Sequence, residues 1–139
     1  HRLQGVKKAL KSLELPINPA YIKQCANDIS KAKKAMSELL QNEKHPDSVI
    51  CENNLIALGA LDIIKQNGLK IPDDIAVITF DDYPFSQITE PKLTVVNIDV
   101  YEMGVQAGNM IISKIKKPNL QIQSYSTLPE LIVRESTKK

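Results

Sequence analysis

The sequence predicts an α/β fold, a Rossmann-like parallel sheet with helices on both faces. Two kinds of segment alternate along the chain and lead to this prediction. Short apolar runs, such as residues 48–51 and 75–80, are typical of buried parallel strands. Longer segments carry apolar residues at helical spacing, and the alternation of the two kinds favours parallel strands joined by right-handed crossovers.

The composition is that of a single globular domain. The chain has 139 residues, of which 42% are hydrophobic and 24% are charged, which is too apolar for a disordered chain. Lysines spread over the polar faces of predicted helices indicate a solvated surface and not a nucleic-acid footprint, although the net charge is +2. No apolar run approaches the roughly 20 residues that cross a bilayer, and no signal peptide is visible. We therefore expect a cytoplasmic protein that does not contact the membrane.

Three elements are expected before residue 45. Apolar residues from Leu3 to Leu13 recur at helical spacing, and Pro16 interrupts the pattern. Residues 21–25 form a plausible short strand. Asp28 is one of several capping residues available to a second helix. The apolar face of that helix consists of Ala32, Ala35, Met36, Leu39 and Leu40.

The middle of the chain predicts a strand followed by a helix. Residues 48–51 form the strand, and Asn53 or Asn54 caps the helix of residues 55–66. Because Asn54 is equally able to cap that helix, Asn53 is free for another role. Gly68 ends the helix, since glycine adopts the left-handed conformation at little cost.

The last third of the chain is less regular. Residues 94–98 are expected to form a strand, and residues 101–115 a long helix. One face of that helix consists of Tyr101, Val105, Gly108, Ile112 and Ile115. Residues 123–128 and 130–134 are strand-like pieces on either side of Pro129.

Polar side chains stand directly after two of the predicted strands. Asn53 follows the strand of residues 48–51, and the pair Asp81 and Asp82 follows that of residues 75–80. Ligands of such folds bind in the crevice beyond the carboxyl ends of the strands. Adjacent residues on an extended chain point to opposite sides, so the two carboxylates are poorly placed as an acid–base pair. One carboxylate that faces the crevice can accept two hydroxyl hydrogen bonds, which suits a sugar; the alternative is an aspartate that caps a turn.

Motifs for catalysis, cofactors and metals are missing from the sequence. The five glycines are isolated, and no glycine-rich phosphate loop is formed. His1 and His45 have no nearby nucleophile or carboxylate in a motif. Cys25 and Cys51 lie far apart in the sequence, and we expect both to be buried, unreactive thiols. These patterns predict a binding protein and not an enzyme, with no cofactor and no metal ion.

Several segments resemble, in the same order, the effector-binding region of the LacI/GalR family of bacterial transcription regulators. The resemblance begins with Arg2-Leu3-Gln4-Gly5-Val6, which looks like the family's Arg-x-x-Gly helix start. The strand and helix on either side of Asn53, and the run that ends in Phe80-Asp81-Asp82, are similar to further motifs of the family. The last matching segments are Pro91-x-Leu93-Thr94-Val95-Val96, Tyr101-Glu102-Met103-Gly104 and Leu128-Pro129-x-Leu131-x-Val133-Arg134-x-Ser136-Thr137.

The resemblance implies a periplasmic-binding-protein-like type I fold, in which two Rossmann-like lobes surround a sugar cleft. It also implies a regulator that senses a metabolite and thereby changes the affinity of a dimer for operator DNA. By position, Arg2, Asn53 and Asp81 would contact the effector. Asn27 stands where many members have an aromatic residue that packs on the sugar ring, and it is a weaker candidate. Thr79 replaces the usual glycine before Phe80, which leaves the identity of the ligand open.

The resemblance further implies that the chain is part of a longer protein. Residues 1–96 and 126–139 would form most of the second lobe, and residues 97–125 would be a crossover helix and strand of the first lobe. The DNA-reading headpiece would lie ahead of this region and outside the chain. The long crossover helix is then expected to have lost most of its packing partners. A homodimer would form through surfaces near residues 56–62 and 83–88.

Two other interpretations stay open. The periplasmic sugar-binding protein of a transporter shares this fold and is the main alternative. It would carry an export signal and would lack the Pro-x-Leu-Thr continuation that follows the Asp81–Asp82 turn here. An enzyme on a similar scaffold needs a nucleophile or an acid–base pair, which the motifs do not supply. The prediction from the sequence is therefore a sugar-responsive repressor.

Overall fold

The fold centres on a mixed sheet whose first three strands are parallel. The computed structural model describes residues 1–121 and 124–138, and in these residues the sheet has four strands. The strands, side by side in this order, are β1 (Ser48–Cys51), β2 (Ala76–Phe80), β3 (Thr94–Asn97) and β4 (Glu130–Ile132). β4 runs antiparallel to β3, whereas the other neighbours are parallel. The predicted α/β class is confirmed, and β4 adds an antiparallel edge.

In the described part of the chain, two helices precede β1, one connects β1 to β2, and one connects β3 to β4. The helices of the described residues are α1 (Arg2–Ser12), α2 (Ile29–Leu40), α3 (Asn54–Gln66) and α4 (Val100–Lys116), with short 3-10 turns at Pro19–Tyr21, Pro84–Gln87 and Glu135–Thr137. The Oδ1 atom of Asp28 accepts the N–H of Lys31 at 3.0 Å, as expected for a helix cap. Within the described ranges, no helix has the length and apolar character needed to cross a membrane.

The predicted strand over residues 21–25 was wrong. Pro19–Tyr21 is a 3-10 turn, and the stretch that follows it is irregular. The proline fixes its own φ at the first position of the turn, and Asn18 caps that turn by accepting the N–H of Ala20. Tyr21 also donates its hydroxyl to the carbonyl of Lys44 at 2.6 Å. These local hydrogen bonds compete with strand pairing, and a single apolar residue, Ile22, does not outweigh them.

The two strand-like pieces near the end of the chain have different outcomes. Residues 124–128 are irregular, and position 123 of that predicted piece lies outside the described residues. Of residues 130–134, the first three form β4. Their pairing is set by β3, because Val95 lies opposite Ile132 and Val96 opposite Leu131.

The core lies between α2, α3 and one face of the sheet. Burial alternates along β2, where Val77 and Thr79 are buried and their neighbours are half-buried. Gly59 lets α3 approach α2 closely, since a Cβ atom there would lie 2.6 Å from Cβ of Ala32 and 2.7 Å from the carbonyl oxygen of Ile29. The core members are Met36, Leu39, Cys51, Ala57, Ala60, Leu61, Ile64, Ile75, Val77, Leu93 and Val95.

The other two helices bury no residue. α1 begins beside the opposite face of the sheet, where its first residue, Arg2, lies over the ring of Phe80. Its apolar residues Leu3, Val6 and Leu10 are half-buried. α4 has 17 residues, and none of them is buried. Only α2 and α3 are therefore packed as core helices among the described residues.

Candidate functional site

Arg2 and Asp81 meet beyond the carboxyl ends of the parallel strands, although they are separated by 79 positions in the sequence. Nη2 of Arg2 lies 3.2 Å from Oδ2 and 3.4 Å from Oδ1 of Asp81. The two side chains are 31% and 27% exposed, so the pair is held by the protein and still open to a ligand. The structure thus brings together Arg2 and Asp81, two of the residues that the sequence predicted as ligand contacts.

Two further contacts hold the guanidinium of Arg2 in place. Its Nη1 atom donates to the backbone carbonyl of Glu52, the residue after β1. Its central carbon lies 4.5 Å from the ring centroid of Phe80, the last residue of β2. A planar cation stacked on an aromatic ring keeps its in-plane N–H donors free for carboxylates, carbonyls and hydroxyls. Arg2 is therefore a preorganised donor at the strand ends.

The backbone around Asp81 is held from both sides. Asp81 has a φ of 69°, in the left-handed region, which aspartate and asparagine tolerate better than most residues. Its N–H donates to the carbonyl of Val96 at 3.0 Å. The side-chain amide of Asn54 donates to the carbonyl oxygens of Phe80 and Asp81, at 3.2 Å each. The sharp turn after β2 is therefore fixed by both neighbouring segments.

The expectation that Asn54 caps α3 and frees Asn53 was wrong. Asn53 is the cap, and its Oδ1 atom accepts the N–H of Ile56 at 3.1 Å. The backbone decides this, because Asn53 is extended whereas Asn54 is the first helical residue and is turned inward to the β2 turn. Capping occupies only the amide oxygen of Asn53. In the part of the chain that the structure describes, its half-buried amide NH₂ makes no hydrogen bond and can donate to a ligand.

Asp82 points to the other side of the turn and binds Arg134. The two oxygens of its carboxylate accept two guanidinium N–H groups, at 2.8 Å and 2.6 Å. Both side chains are largely buried, with 15% of Arg134 and 13% of Asp82 exposed. The hydrogen bonds to Asp82 raise the pKa of Arg134 above its usual value. Asp81 and Asp82 are thus separated as predicted, and only Asp81 faces the crevice.

The fourth candidate, Asn27, is not drawn into this cluster by any contact. It is exposed in the bend before α2, and within the described ranges its side chain makes no hydrogen bond. The adjacent Asp28 takes the cap of α2 instead. A role for Asn27 in binding stays a prediction.

The cysteines do not form a reactive site. Burial raises the pKa of Cys51 to about 12, with a smaller contribution from Cys25, so its thiol is protonated at neutral pH. Cys25 is only half-buried, which differs from the expected burial; desolvation, Asp28 and Glu52 raise its pKa as well. Among the described residues, no group of three or more His, Cys, Asp or Glu side chains is placed to hold a metal ion.

Several residues of this site were not predicted. The carbonyl of Glu52, the ring of Phe80 and the amide of Asn54 act through contacts between distant segments. Arg134 matched a family motif, but no pattern in the sequence pairs it with Asp82, 52 positions away. For Phe80 and Glu52, the position at the end of a predicted strand was a signal that could have placed them near the site.

Comparisons with known proteins identify the kind of domain. The periplasmic binding protein-like domain matches residues 1–137. The HTH-type transcriptional repressor PurR of Histophilus somni is 35% identical over 99% of this chain and 41% of its own length. The arabinose metabolism transcriptional repressor of Geobacillus stearothermophilus is 38% identical over 99% of this chain and 39% of its own length.

Solved structures agree with this result. The complex of the transcriptional regulator CelR with cellobiose superposes with a TM-score of 0.90 at 27% identity, over 97% of this chain and 41% of that one. A sugar-binding transcriptional regulator of the LacI family from Escherichia coli, complexed with phosphate, superposes with a TM-score of 0.85 at 25% identity, over 97% of this chain and 48% of that one.

The chain is a periplasmic binding protein-like domain. Within this class it belongs to the LacI/GalR family of transcription regulators, as the sequence predicted. It spans 41% or less of the two curated repressors named above.

Proposed function

We propose that this chain is the effector-binding region of a transcriptional repressor and that it binds a sugar or sugar derivative without transforming it. One observation carries the proposal. Arg2 and Asp81 form a partly exposed pair at the carboxyl ends of parallel strands, and Asn53 follows the end of the neighbouring strand β1. That edge is where open α/β sheets bind their ligands. The repressors among its relatives support a regulatory role for the bound ligand.

The chemistry of the pair suits hydroxyl groups. Each hydroxyl of a sugar donates one hydrogen bond and accepts up to two. The carboxylate of Asp81 accepts two such hydrogen bonds, and the guanidinium of Arg2 and the amide of Asn53 donate. The charges of Arg2 and Asp81 offset each other at 3.2 Å, which favours a ligand that forms many hydrogen bonds over one that brings a net charge.

The exposed helix α4 supports the proposed division into lobes. Tyr101 is 80% exposed and Ile115 is 73% exposed, although both belong to the apolar face. A shallow apolar groove on the same helix is lined by Met110, Ile111, Ile115 and Pro118, among others. We infer that residues 97–125 belong to a first lobe and that residues 1–96 and 126–139 form the second. Residues 122 and 123 lie outside the described ranges.

A homodimer is also part of the proposal. In the stretch of residues 83–88, Tyr83 is 57% exposed and Ile88 is 79% exposed, which provides an apolar surface. In the stretch of residues 56–62, by contrast, four of seven residues are buried in the core of this chain, and only Ile56, Leu58 and Asp62 are half-buried. The first of these two surfaces is therefore expected to contribute more to the dimer.

Regulation then follows from a two-state equilibrium. A sugar held between the two lobes favours the closed arrangement, and it can shift the equilibrium only by its difference in affinity for the two states. The change would reach operator DNA through a headpiece in another part of the protein. In this scheme the ligand acts as a signal and is released without chemical change.

A thermal-shift screen of the full-length protein tests the proposal. Arabinose, ribose, cellobiose, a sugar acid and a sugar phosphate are the probes. A ligand at 100 times its Kd stabilises the folded state by about 2.7 kcal/mol, which is easily measured. We expect a neutral sugar to raise the Tm and the charged probes to do so less. Turnover of the stabilising sugar, or equal melting with all probes, would contradict the proposal.

A further inference from the structure

Asp82 connects the candidate site to the C-terminal segment of the chain. It is joined to Asp81 by a single peptide bond, and its own carboxylate is held in the opposite direction by both Nη atoms of Arg134. Its N–H donates to Oδ1 of Asn97 at 3.3 Å. Asp82 is thus fixed at its side chain and at its backbone.

Arg134 is itself anchored at several points. The Nη1 atom that binds Asp82 also donates to the carbonyl of Leu93 at 2.9 Å. The backbone N–H of Arg134 donates to the hydroxyl of Thr94 at 2.8 Å, and that hydroxyl lies 3.2 Å from the carbonyl of Arg134. A guanidinium that is restrained at its head and its backbone holds a carboxylate in a narrow range of positions.

Ser136 joins the same segment to the centre of the sheet. It is fully buried, and its hydroxyl donates to the carbonyl of Val77 at 2.6 Å and accepts the N–H of Thr94 at 2.8 Å. The segment that presents Arg134 is therefore tied to β2 and β3, the two strands that flank the turn. It cannot shift without breaking buried hydrogen bonds.

We propose that Arg134 is a positioning residue for the effector site: by holding Asp82, it fixes the left-handed turn that directs the Asp81 carboxylate to Arg2. Arg134 is not expected to contact the ligand, because three of its guanidinium N–H groups bind Asp82 and Leu93 and its side chain is largely buried. Without Arg134 the turn keeps its hydrogen bonds to Asn54, Val96 and Asn97 but loses the two charge-assisted hydrogen bonds at Asp82. The 3.2 Å contact between Arg2 and Asp81 is then expected to weaken. The role in ligand binding rests on the proposed function, whereas the link from Arg134 to Arg2 does not.

Hydrogen exchange of the full-length protein, measured by mass spectrometry without ligand, tests the link. In Arg134→Met, amides of residues 79–83 should exchange about tenfold faster, since charge-assisted hydrogen bonds that hold the turn are removed. The amides of α1 from Gly5 to Lys8, which are the first in this helix with backbone hydrogen-bond acceptors, should also exchange faster, because the contact of Arg2 with Asp81 is weakened. A purely structural role would accelerate exchange around residues 79–83 and 134–137 and leave α1 unchanged, and this result would overturn the proposal.

Matched variants keep the test decisive. Lys92→Met removes an exposed ion pair, at 3.9 Å, with Glu135, which is the neighbour of Arg134 on the C-terminal segment. This variant should leave the hydrogen exchange of α1 unchanged. Arg134→Lys should give an intermediate acceleration at α1. If Arg134→Met does not fold, Asp82→Asn releases the turn from its other side and must give the same acceleration at α1. Failure of Asp82→Asn to do so contradicts the proposal.

Ligand affinity separates this inference from the proposed function. For whichever of arabinose, ribose or cellobiose stabilises the protein, Arg134→Met should raise the Kd about tenfold. In an Asp81→Asn background it should change the Kd by less than about twofold, because the two residues act through the same contact. Equal effects in both backgrounds overturn the inference. If none of these sugars binds but Arg134→Met still accelerates exchange in α1, the proposed function fails and the positioning role stands.

Discussion

Helices α3 and α4 are both apolar on one face, yet they have opposite fates in this chain. α3 has 13 residues and buries six of them against α2 and the sheet. α4 has 17 residues and buries none. Helical periodicity therefore identifies an apolar face but does not say where its partner is. In α3 the partner lies within the chain, and in α4 we infer that it belongs to a first lobe.

The largest expected difference between the two helices is a change in core packing. Ile64 of α3 is fully buried, and Ile64→Ala should lower the free energy of unfolding by about 2–5 kcal/mol. Ile115 of α4 is 73% exposed, and Ile115→Ala should change it by less than about 0.5 kcal/mol. Urea unfolding of the two variants of this chain measures both. Similar losses of unfolding free energy in the two variants would mean that α4 is packed, which would contradict the difference between α3 and α4.

The next largest effect is on ligand affinity, which should depend on the residues at the strand ends and not on those of α4. Asp81→Asn or Arg2→Ala should weaken binding of the stabilising sugar by about 10- to 100-fold, because hydrogen bonds to charged groups contribute about 1.5–3 kcal/mol. The free energy of unfolding should change by about 0–1 kcal/mol in Asp81→Asn, as for many ion pairs near the surface. It should decrease further in Arg2→Ala, which also removes the contacts with the Glu52 carbonyl and the Phe80 ring.

Calorimetric titration and operator binding of the full-length protein check this prediction. Operator affinity without ligand should stay near that of the wild type. Lys8→Ala, an exposed charge on the same helix as Arg2, is the control. A normal response to the sugar in both site variants would show that the site is elsewhere.

Two glycines give a smaller and sharper contrast. Gly59→Ala should destabilise the chain by about 1–3 kcal/mol, since the new methyl group overlaps Ala32 and the carbonyl of Ile29. At Gly108 of α4 nothing lies within 4 Å of an added Cβ, so Gly108→Ala should stabilise the chain by about 0.5–1 kcal/mol. Thermal melting of each variant shows whether the substitution stabilises or destabilises the chain. In the full-length protein, a lobe packed on α4 would reduce or reverse the gain at Gly108.

The smallest effect at neutral pH belongs to Cys51, which lies in the core that α3 covers. Its pKa is about 12 in the folded chain against 9.0 for an ordinary thiol. The folded state therefore retains the proton more strongly, so stability is complete below pH 9.0 and falls as pH rises from there toward 12. Cys51→Ala should flatten this alkaline decrease, as measured by urea unfolding at pH 8 and pH 10. An unchanged slope would show that Cys51 is not responsible.

Much of the site could be predicted, but for reasons that differ from residue to residue. Asn53 and Asp81 became candidates because each follows an apolar strand, and open α/β sheets bind their ligands at the strand ends. Arg2 was found only through the family resemblance, since its local sequence indicates no more than a surface charge. Arg134 was missed as part of the site because its partner lies 52 positions away.

The sequence by itself determined the α/β class, the order of strands and helices along most of the chain, and the two polar strand ends, because these depend on local periodicity and turn chemistry. Only the tertiary structure decided which asparagine caps α3, that residues 21–25 are not a strand, and that Asp81 and Asp82 are divided between Arg2 and Arg134. Those outcomes depend on side chains that are distant in the sequence, and local pattern does not encode such contacts. For the same reason, local pattern did not distinguish α3 from α4, and only the family resemblance predicted that α4 would lack packing partners in this chain.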